Sequence, residues 1–309
     1  MSLDAEPTYS SDMQHINKVT ITEANAPDAS STSRPQQPAD MPKYWSTSVS
    51  RVTDSKVYIR GYDLEEMIGN VPFAASTFLL LQGRLPTPAE AGLLDAVLSA
   101  ILDYSLQKSG TVAARYVASA NPNMAAALAA GILGVGKNTM DPADAARFCL
   151  DMYSRLEASN KASSVLAAEI VEELRARKQR IPGLGHPVFR FVDPRAQKLR
   201  KRAVDAGVWG PKAEFFEEIF RAFTSLPGKE SIVLNDIGMM ALVLVEMGFS
   251  PEETTGLAIL STLPGVIAHV SEELAQRRPI RTVPEGTAEY DLTAKDFNHD
   301  WTEAGWADE

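Results

Sequence analysis

The chain has 309 residues, is 45% hydrophobic and carries a formal charge of −10 with an isoelectric point near 5.0. That length and apolar content can build one large core or two modest ones, while the acidic balance and the scatter of Lys and Arg exclude the basic footprint of a nucleic-acid binder. One cysteine, Cys149 in the apolar run RFCLDMY, rules out an internal disulfide and a multi-cysteine metal site, and is expected to pack in a core.

Residues 1–43 are rich in Ser, Pro, Asp and Gln without an apolar period, so a flexible polar tail is expected. The N-terminus lacks the order of a signal peptide and no run approaches the ~18 apolar residues of a membrane span. The expected location is cytoplasmic, with no membrane partner. SKVYIRG (55–61) is the one strand signal, ending at Gly61.

Beyond it the pattern is helical. A cap, a proline at the first helical position and an acid soon after recur at Thr87-Pro88-Ala89-Glu90, Asp141-Pro142-Ala143-Asp144 and Ser250-Pro251-Glu252-Glu253. The first leads into Leu93, Leu94, Val97, Leu98, Ile101 and Leu102, the stripe of an amphipathic helix. Arg115 in VAARYVAS reads as an anion contact or as a solvated or salt-bridged helix residue. NMAAALAAGILGVG (123–136) and SIVLNDIGMMALVLVEMGF (231–249) are apolar on nearly every side and belong at the centre of a helical core. The small residues of the first admit a close neighbour, a helix of this chain or a second subunit.

Three residues stand out chemically. Asp236 interrupts an apolar run, so it is either paired or a proton-transfer group in a pocket. His186 follows Pro182-Gly183-Leu184-Gly185, whose glycines would let backbone N–H groups approach a ligand, or simply turn into a helix. Asp193-Pro194 reads as cap and first residue of a helix, which puts Arg195 in its first turn, suited to a carboxylate or phosphate. His269 in VIAHVSEEL fits a core contact, a subunit contact or a site; His15 and His299 fall in polar terminal segments. No metal-ligand spacing, Walker motif, dinucleotide fingerprint or Gly-x-Ser-x-Gly is present.

PGLGHPVFRFVDPRA (182–196) resembles the Pro-Gly-x-Gly-His-x-Val … Asp-Pro-Arg signature of the citrate synthase superfamily, with the same nine-residue gap between histidine and arginine. YIRGYDLEEMIGNVPFAASTFLLLQGRLP, AARYVASANPNMAAALAAGILGVG, LNDIGMMALVL and GVIAHVSEEL resemble its further segments in the same order. The resemblance covers roughly residues 44–285 and is closest to the citryl-CoA lyase-like branch, similar to the carboxy-terminal module of ATP citrate lyase.

It implies an all-α fold with a large helical domain, a small helical lobe inserted at about 141–230, and a C-terminal tail at 286–309. It further implies a homodimer or higher oligomer acting on a CoA thioester of a small hydroxy acid, with no metal or bound cofactor. In the implied roles Asp236 moves a proton on the acetyl α-carbon, His186 handles the proton of the carbonyl or hydroxyl, and Arg195 binds a carboxylate, with Pro182, Gly183, Leu184 and Gly185 near the cofactor portion.

The chain departs from the family where a histidine gives way to Tyr104 in LDYS, where a glycine pair gives way to GKNTMDP, and where a late arginine gives way to Thr262. Tyr104, Lys137 and Asn138 are the expected replacement contacts, with Arg115 as a further anion contact. Three functions follow: a carbon–carbon lyase, favoured; a condensing enzyme; or a non-catalytic family member serving as partner subunit or ligand sensor.

Overall fold

The computed structural model describes residues 44–136, 138–277 and 280–306, so the tail expected over 1–43 lies outside the described residues. The chain divides after Ser46, and of the first unit only residues 44–46 are described. In the first, Tyr44 and Trp45 are exposed with their rings edge to face at 5.4 Å.

The second unit opens with an antiparallel sheet of β1 (Ser50–Val52), β2 (Val57–Ile59) and β3 (Tyr62–Asp63), in that order. The strand expected over 55–61 is therefore β2, and it has two partners the sequence pattern missed. Each partner is too short, and β1 too exposed, to show alternation. Thr53 closes the first turn by donating to the Lys56 carbonyl and accepting from its N–H, and Arg60-Gly61, both at positive φ, close the second.

Helices follow: α1 (Leu64–Met67), α2 (Phe73–Gln82), α3 (Pro88–Ala100), α4 (Ser109–Ala120), α5 (Met124–Leu133), α6 (Ala143–Glu157), α7 (Ser163–Ala176), α8 (Pro194–Asp205), α9 (Pro211–Thr224), α10 (Asp236–Glu246), α11 (Pro251–Gln276) and α12 (Phe297–Glu303). Capping boxes of Thr87 with Glu90 and of Ser250 with Glu253 open α3 and α11 as expected. α6 begins one residue late, at Ala143, whose N–H Asp141 accepts at 3.0 Å.

α10 is the centre of the core. Met239 through Val245 are each at most 3% exposed, and α6, α8, α9 and α11 pack around it; each Leu or Val buried there contributes about 1.5–3 kcal/mol. Cys149 is also buried, and burial pushes its thiol up to about 12.

Three expectations need correction. α3 ends at Ala100, so Leu93, Leu94, Val97 and Ile101 are buried while Leu102, past its end, is exposed. α5 is not central: only Ala127 and Gly131 are buried, and Leu133 is 85% exposed. Its small residues face α4, where a Cβ on Gly110 would lie 2.6 Å from the Gly131 carbonyl oxygen. Lastly, α11 is long and apolar enough, by length and composition, to cross a bilayer. It packs instead on α3, α4, α5, α6 and α10 and buries Thr254, Ser261, Thr262 and Glu273. At Gly265 it admits the chain leaving α3, since a Cβ there would meet the Leu102 carbonyl oxygen at 2.3 Å.

Candidate active site

Two segments about fifty residues apart lie side by side at the site. Leu184 bridges Leu234 in antiparallel sense, the Gly185 N–H donates to Val233 O at 2.7 Å and the Asn235 N–H to Gly183 O at 3.0 Å. Asn235 caps α10 by accepting from the Gly238 N–H at 2.8 Å, while its amide donates to Gly185 O at 2.7 Å. One side chain thus starts the helix that carries Asp236 and holds the loop that carries His186.

Part of the backbone expected to face a cofactor at Pro182-Gly183-Leu184-Gly185 serves this packing. The N–H groups of Leu184 and Gly185 are used within the protein, and the close approach that Gly183 permits is to α10, with a Cβ at 183 falling 2.7 Å from Gly238 Cα.

Arg195 is the hub. Asp193 caps α8 by accepting from the Arg195 N–H at 3.0 Å, and it receives Nε at 3.1 Å and Nη2 at 2.9 Å from the same residue. Asp193 Oδ2 also accepts the Asp236 N–H at 3.2 Å, which ties α8 to α10. Nη1 reaches Tyr104 Oη at 2.6 Å and Asp236 Oδ2 at 3.0 Å, and Nη2 lies 3.1 Å from His186 Nε2. Burial pushes the Asp193 carboxyl up, but the hydrogen bonds from Arg195 outweigh it and hold the acid below its usual range. A cation in a helix's first turn is unfavourable by itself; the two buried carboxylates account for it.

His186 accepts the backbone N–H groups of Val188 and Phe189 at Nδ1, each at 3.0 Å. That places the ring proton on Nε2, facing Arg195. Tyr104 donates its hydroxyl to Asp236 Oδ2. Burial first, then the negative Asp236, drive that hydroxyl well above the ordinary tyrosine range, so it stays a donor.

The structure therefore gathers His186, Arg195, Asp236 and Tyr104. It does not gather Arg115, which is buried in α4 and pairs with Glu273 at 2.7 Å and Glu272 at 2.8 Å, with Arg281 completing the group on Glu273. The salt-bridged alternative holds, and Arg115 ties α4 to α11. Asn138 is exposed and makes no recorded polar contact to the cluster; Lys137 lies outside the described residues. His269 contacts Asp103 at 3.1 Å.

Sequence reasoning missed Asp193 as more than a cap, and missed Lys108, whose Nζ donates to Thr262 Oγ1 at 3.3 Å and lies 4.5 Å from the Tyr104 ring centroid. The Asp-Pro-Arg triplet carried the signal for Asp193; Lys108 had none. His186, Asp193 and Asp236 offer ligand atoms within 4.8 Å of one another. The guanidinium of Arg195 touches all three, so the positive charge between those carboxylates comes from the chain itself.

The family of the citrate synthase C-terminal domain matches residues 87–283. A citrate synthase of Deinococcus radiodurans is 24% identical over 234 residues, 75% of this chain and 60% of that protein; a glyoxysomal citrate synthase of Cucurbita maxima is 25% identical, over 70% of this chain and 47% of that protein. The chain thus spans about half of these relatives' length. Among solved structures, citryl-CoA lyase from Hydrogenobacter thermophilus is 30% identical with a TM-score of 0.77, over 84% of this chain and 100% of that one. A variant ATP citrate lyase of Methanosaeta concilii, in complex with (3S)-citryl-CoA, shares the fold at 19% identity and a TM-score of 0.68, over 82% of this chain and 43% of that one.

Proposed function

The chain belongs to the citrate synthase family, and from that premise we propose that it is a carbon–carbon lyase. Its substrate is a citryl-CoA-like or citramalyl-CoA-like 3-hydroxyacyl-CoA, cleaved to acetyl-CoA and a keto acid. The observation that carries this reading is the convergence of Tyr104, His186, Arg195 and Asp236 from separate parts of the chain. Similarity to the Hydrogenobacter lyase, at 30% identity over the whole of that chain, supports the lyase reading.

Asp236 has Oδ2 engaged by Tyr104 and Arg195, with no hydrogen bond recorded to Oδ1 among the described residues. Oδ1 is the atom that exchanges a proton with the α-carbon of the acetyl group. His186 Nε2 and Arg195 Nη2 are both donors, and two donors 3.1 Å apart do not satisfy each other. An oxygen lodged beside both does. That oxygen is the substrate hydroxyl before cleavage and the keto oxygen after it; both groups stabilise the negative charge that develops as its proton passes to water, while Asp236 in its acid form delivers the proton that the α-carbon gains and is reprotonated from solvent. The CoA thioester is substrate, and these steps call for no bound cofactor.

The proposal includes a homodimer, supported by the exposed apolar Ile132 and Leu133 at the end of α5; a monomer by sedimentation at working concentration would remove it.

The activity is tested by incubating the protein with citryl-CoA and citramalyl-CoA and following acetyl-CoA by mass-detected chromatography, with Asp236→Ala alongside. Cleavage that vanishes in the variant supports the lyase. No cleavage, and no condensation from acetyl-CoA and a keto acid, would turn the reading to a non-catalytic partner subunit or ligand sensor.

A further inference from the structure

Arg195 commits Nε, Nη1 and part of Nη2 to Asp193, Tyr104 and Asp236, which leaves one edge for substrate. A second cation stands close by. Lys108 is half-buried at the N-cap of α4, where its side chain caps nothing. Its ammonium rests on the Thr262 hydroxyl and the Tyr104 ring. Among the described residues no carboxylate lies within ion-pair distance of it, and Asp236 and Asp103 act on it only through space. A cation held out of water without a counterion is costly.

Beside it is a cavity of about 10 Å³, lined by Lys108, Gly110, Thr111, Gly134, Thr139 and Thr262 among others. Thr111 is 1% exposed and its hydroxyl has no hydrogen-bond partner among the described residues. Gly110 and Thr111 belong to the first turn of α4, a 12-residue helix whose N-terminus no side chain caps. An ammonium, an unpartnered buried hydroxyl and the positive end of a helix meet at a space for about one oxygen atom.

We propose that Lys108, Thr262 and Thr111 form an anion pocket that receives a negatively charged oxygen of the substrate. The inference rests on the CoA thioester reading of the site. The oxygen has two sources, a carboxylate of the acid portion or the enolate oxygen of the thioester.

Two measurements separate them. Citrate, with carboxylates and no thioester, is titrated by calorimetry into wild type, Lys108→Met and Lys108→Arg. Deuterium incorporation from solvent into the methyl group of acetyl-CoA, which passes through the enolate, is followed by mass spectrometry. A loss of about tenfold or more in citrate affinity in Lys108→Met, largely restored by Lys108→Arg, assigns a carboxylate. A similar loss in exchange rate with citrate affinity intact assigns the enolate. Thr111→Val, which keeps shape and removes the hydroxyl, weakens the same quantity by a smaller factor. Both quantities unchanged in a folded Lys108→Met protein overturn the pocket, as does wild-type protein that neither binds citrate nor exchanges acetyl-CoA; Lys108→Gln replaces Lys108→Met if that variant does not fold. Failure of the lyase reading is distinct, because citrate binding does not depend on turnover.

Discussion

Gly183 lies against Gly238 backbone to backbone, so that a Cβ on Gly238 would stand 2.6 Å from the Gly183 carbonyl oxygen and 2.8 Å from its Cα. This contact seats the His186 loop on the first turn of α10 and sets the distance from His186 to Asp236. A methyl group has no room there. Gly238→Ala is expected to cost roughly 1–3 kcal/mol of stability and to lower kcat with it, read from urea unfolding midpoints and the cleavage assay side by side. An unchanged midpoint would show that the two segments have slack and that the glycines do not set the geometry.

Tyr104 donates a hydrogen bond to Asp236 and accepts one from Arg195. Because its hydroxyl is held well above the usual range, it orients Asp236 without exchanging its own proton. Tyr104→Phe should therefore lower kcat by roughly 10- to 100-fold, the worth of a hydrogen bond to a charged group, with little change in KM. A variant as fast as wild type would show that Arg195 alone suffices to orient the carboxylate.

The starts of α3 and α11 were legible because a capping box is chemistry within four residues, and α10 because a run apolar on all sides is buried whatever surrounds it. The site was legible only in part. Asp193, Arg195 and His186 sit in one stretch, but Tyr104 and Asp236 are 132 residues apart and Lys108 and Thr262 are 154 apart. Tyr104 and Asn138 looked alike as replacement contacts until the fold placed one in the cluster and left the other exposed. Arg115 looked like an anion contact because its partner Glu273 lies 158 residues away. Lys108 lies among polar residues with no pattern to mark it.

Arg195→Met leaves Asp193 and Asp236 buried with no cation between them, a change expected to cost about 3–5 kcal/mol. The pH dependence has a definite sign. In the wild type the folded-state pKa of Asp193 lies below its ordinary value of 3.8, so its contribution is present above that pH and is lost as pH falls through the folded value. Without Arg195 burial dominates and raises that pKa, so protonation favours the folded variant. The stability gap between Arg195→Met and wild type should narrow as pH falls from neutral toward 4, measured by urea unfolding across that range. A gap constant with pH would mean that solvent, not Arg195, compensates the two acids.

Lys108 links stability and binding in opposite directions. Burial, partly offset by Asp236 and Asp103, lowers its pKa from 10.5 to about 8. The groups around it are Asp103, held by His269 of α11; Tyr104, a neutral phenol; Asp236 of α10; and the fixed cation Arg195 of α8. Since the folded state binds this proton more weakly than the unfolded chain, the charged lysine lowers stability below about pH 8, and that cost fades as pH rises toward 10.5. Lys108→Met is thus expected to melt higher than wild type at neutral pH, with the difference shrinking under alkaline conditions. Binding runs the other way, because the pocket holds an anionic oxygen only while the ammonium is charged. kcat/KM, which reports the free protein, should fall as pH rises through about 8. Lys108→Arg, charged throughout, should lose that limb, and Lys108→Met should show a low and flat profile. A limb that persists in Lys108→Arg belongs to another group and takes the charge of Lys108 out of substrate binding.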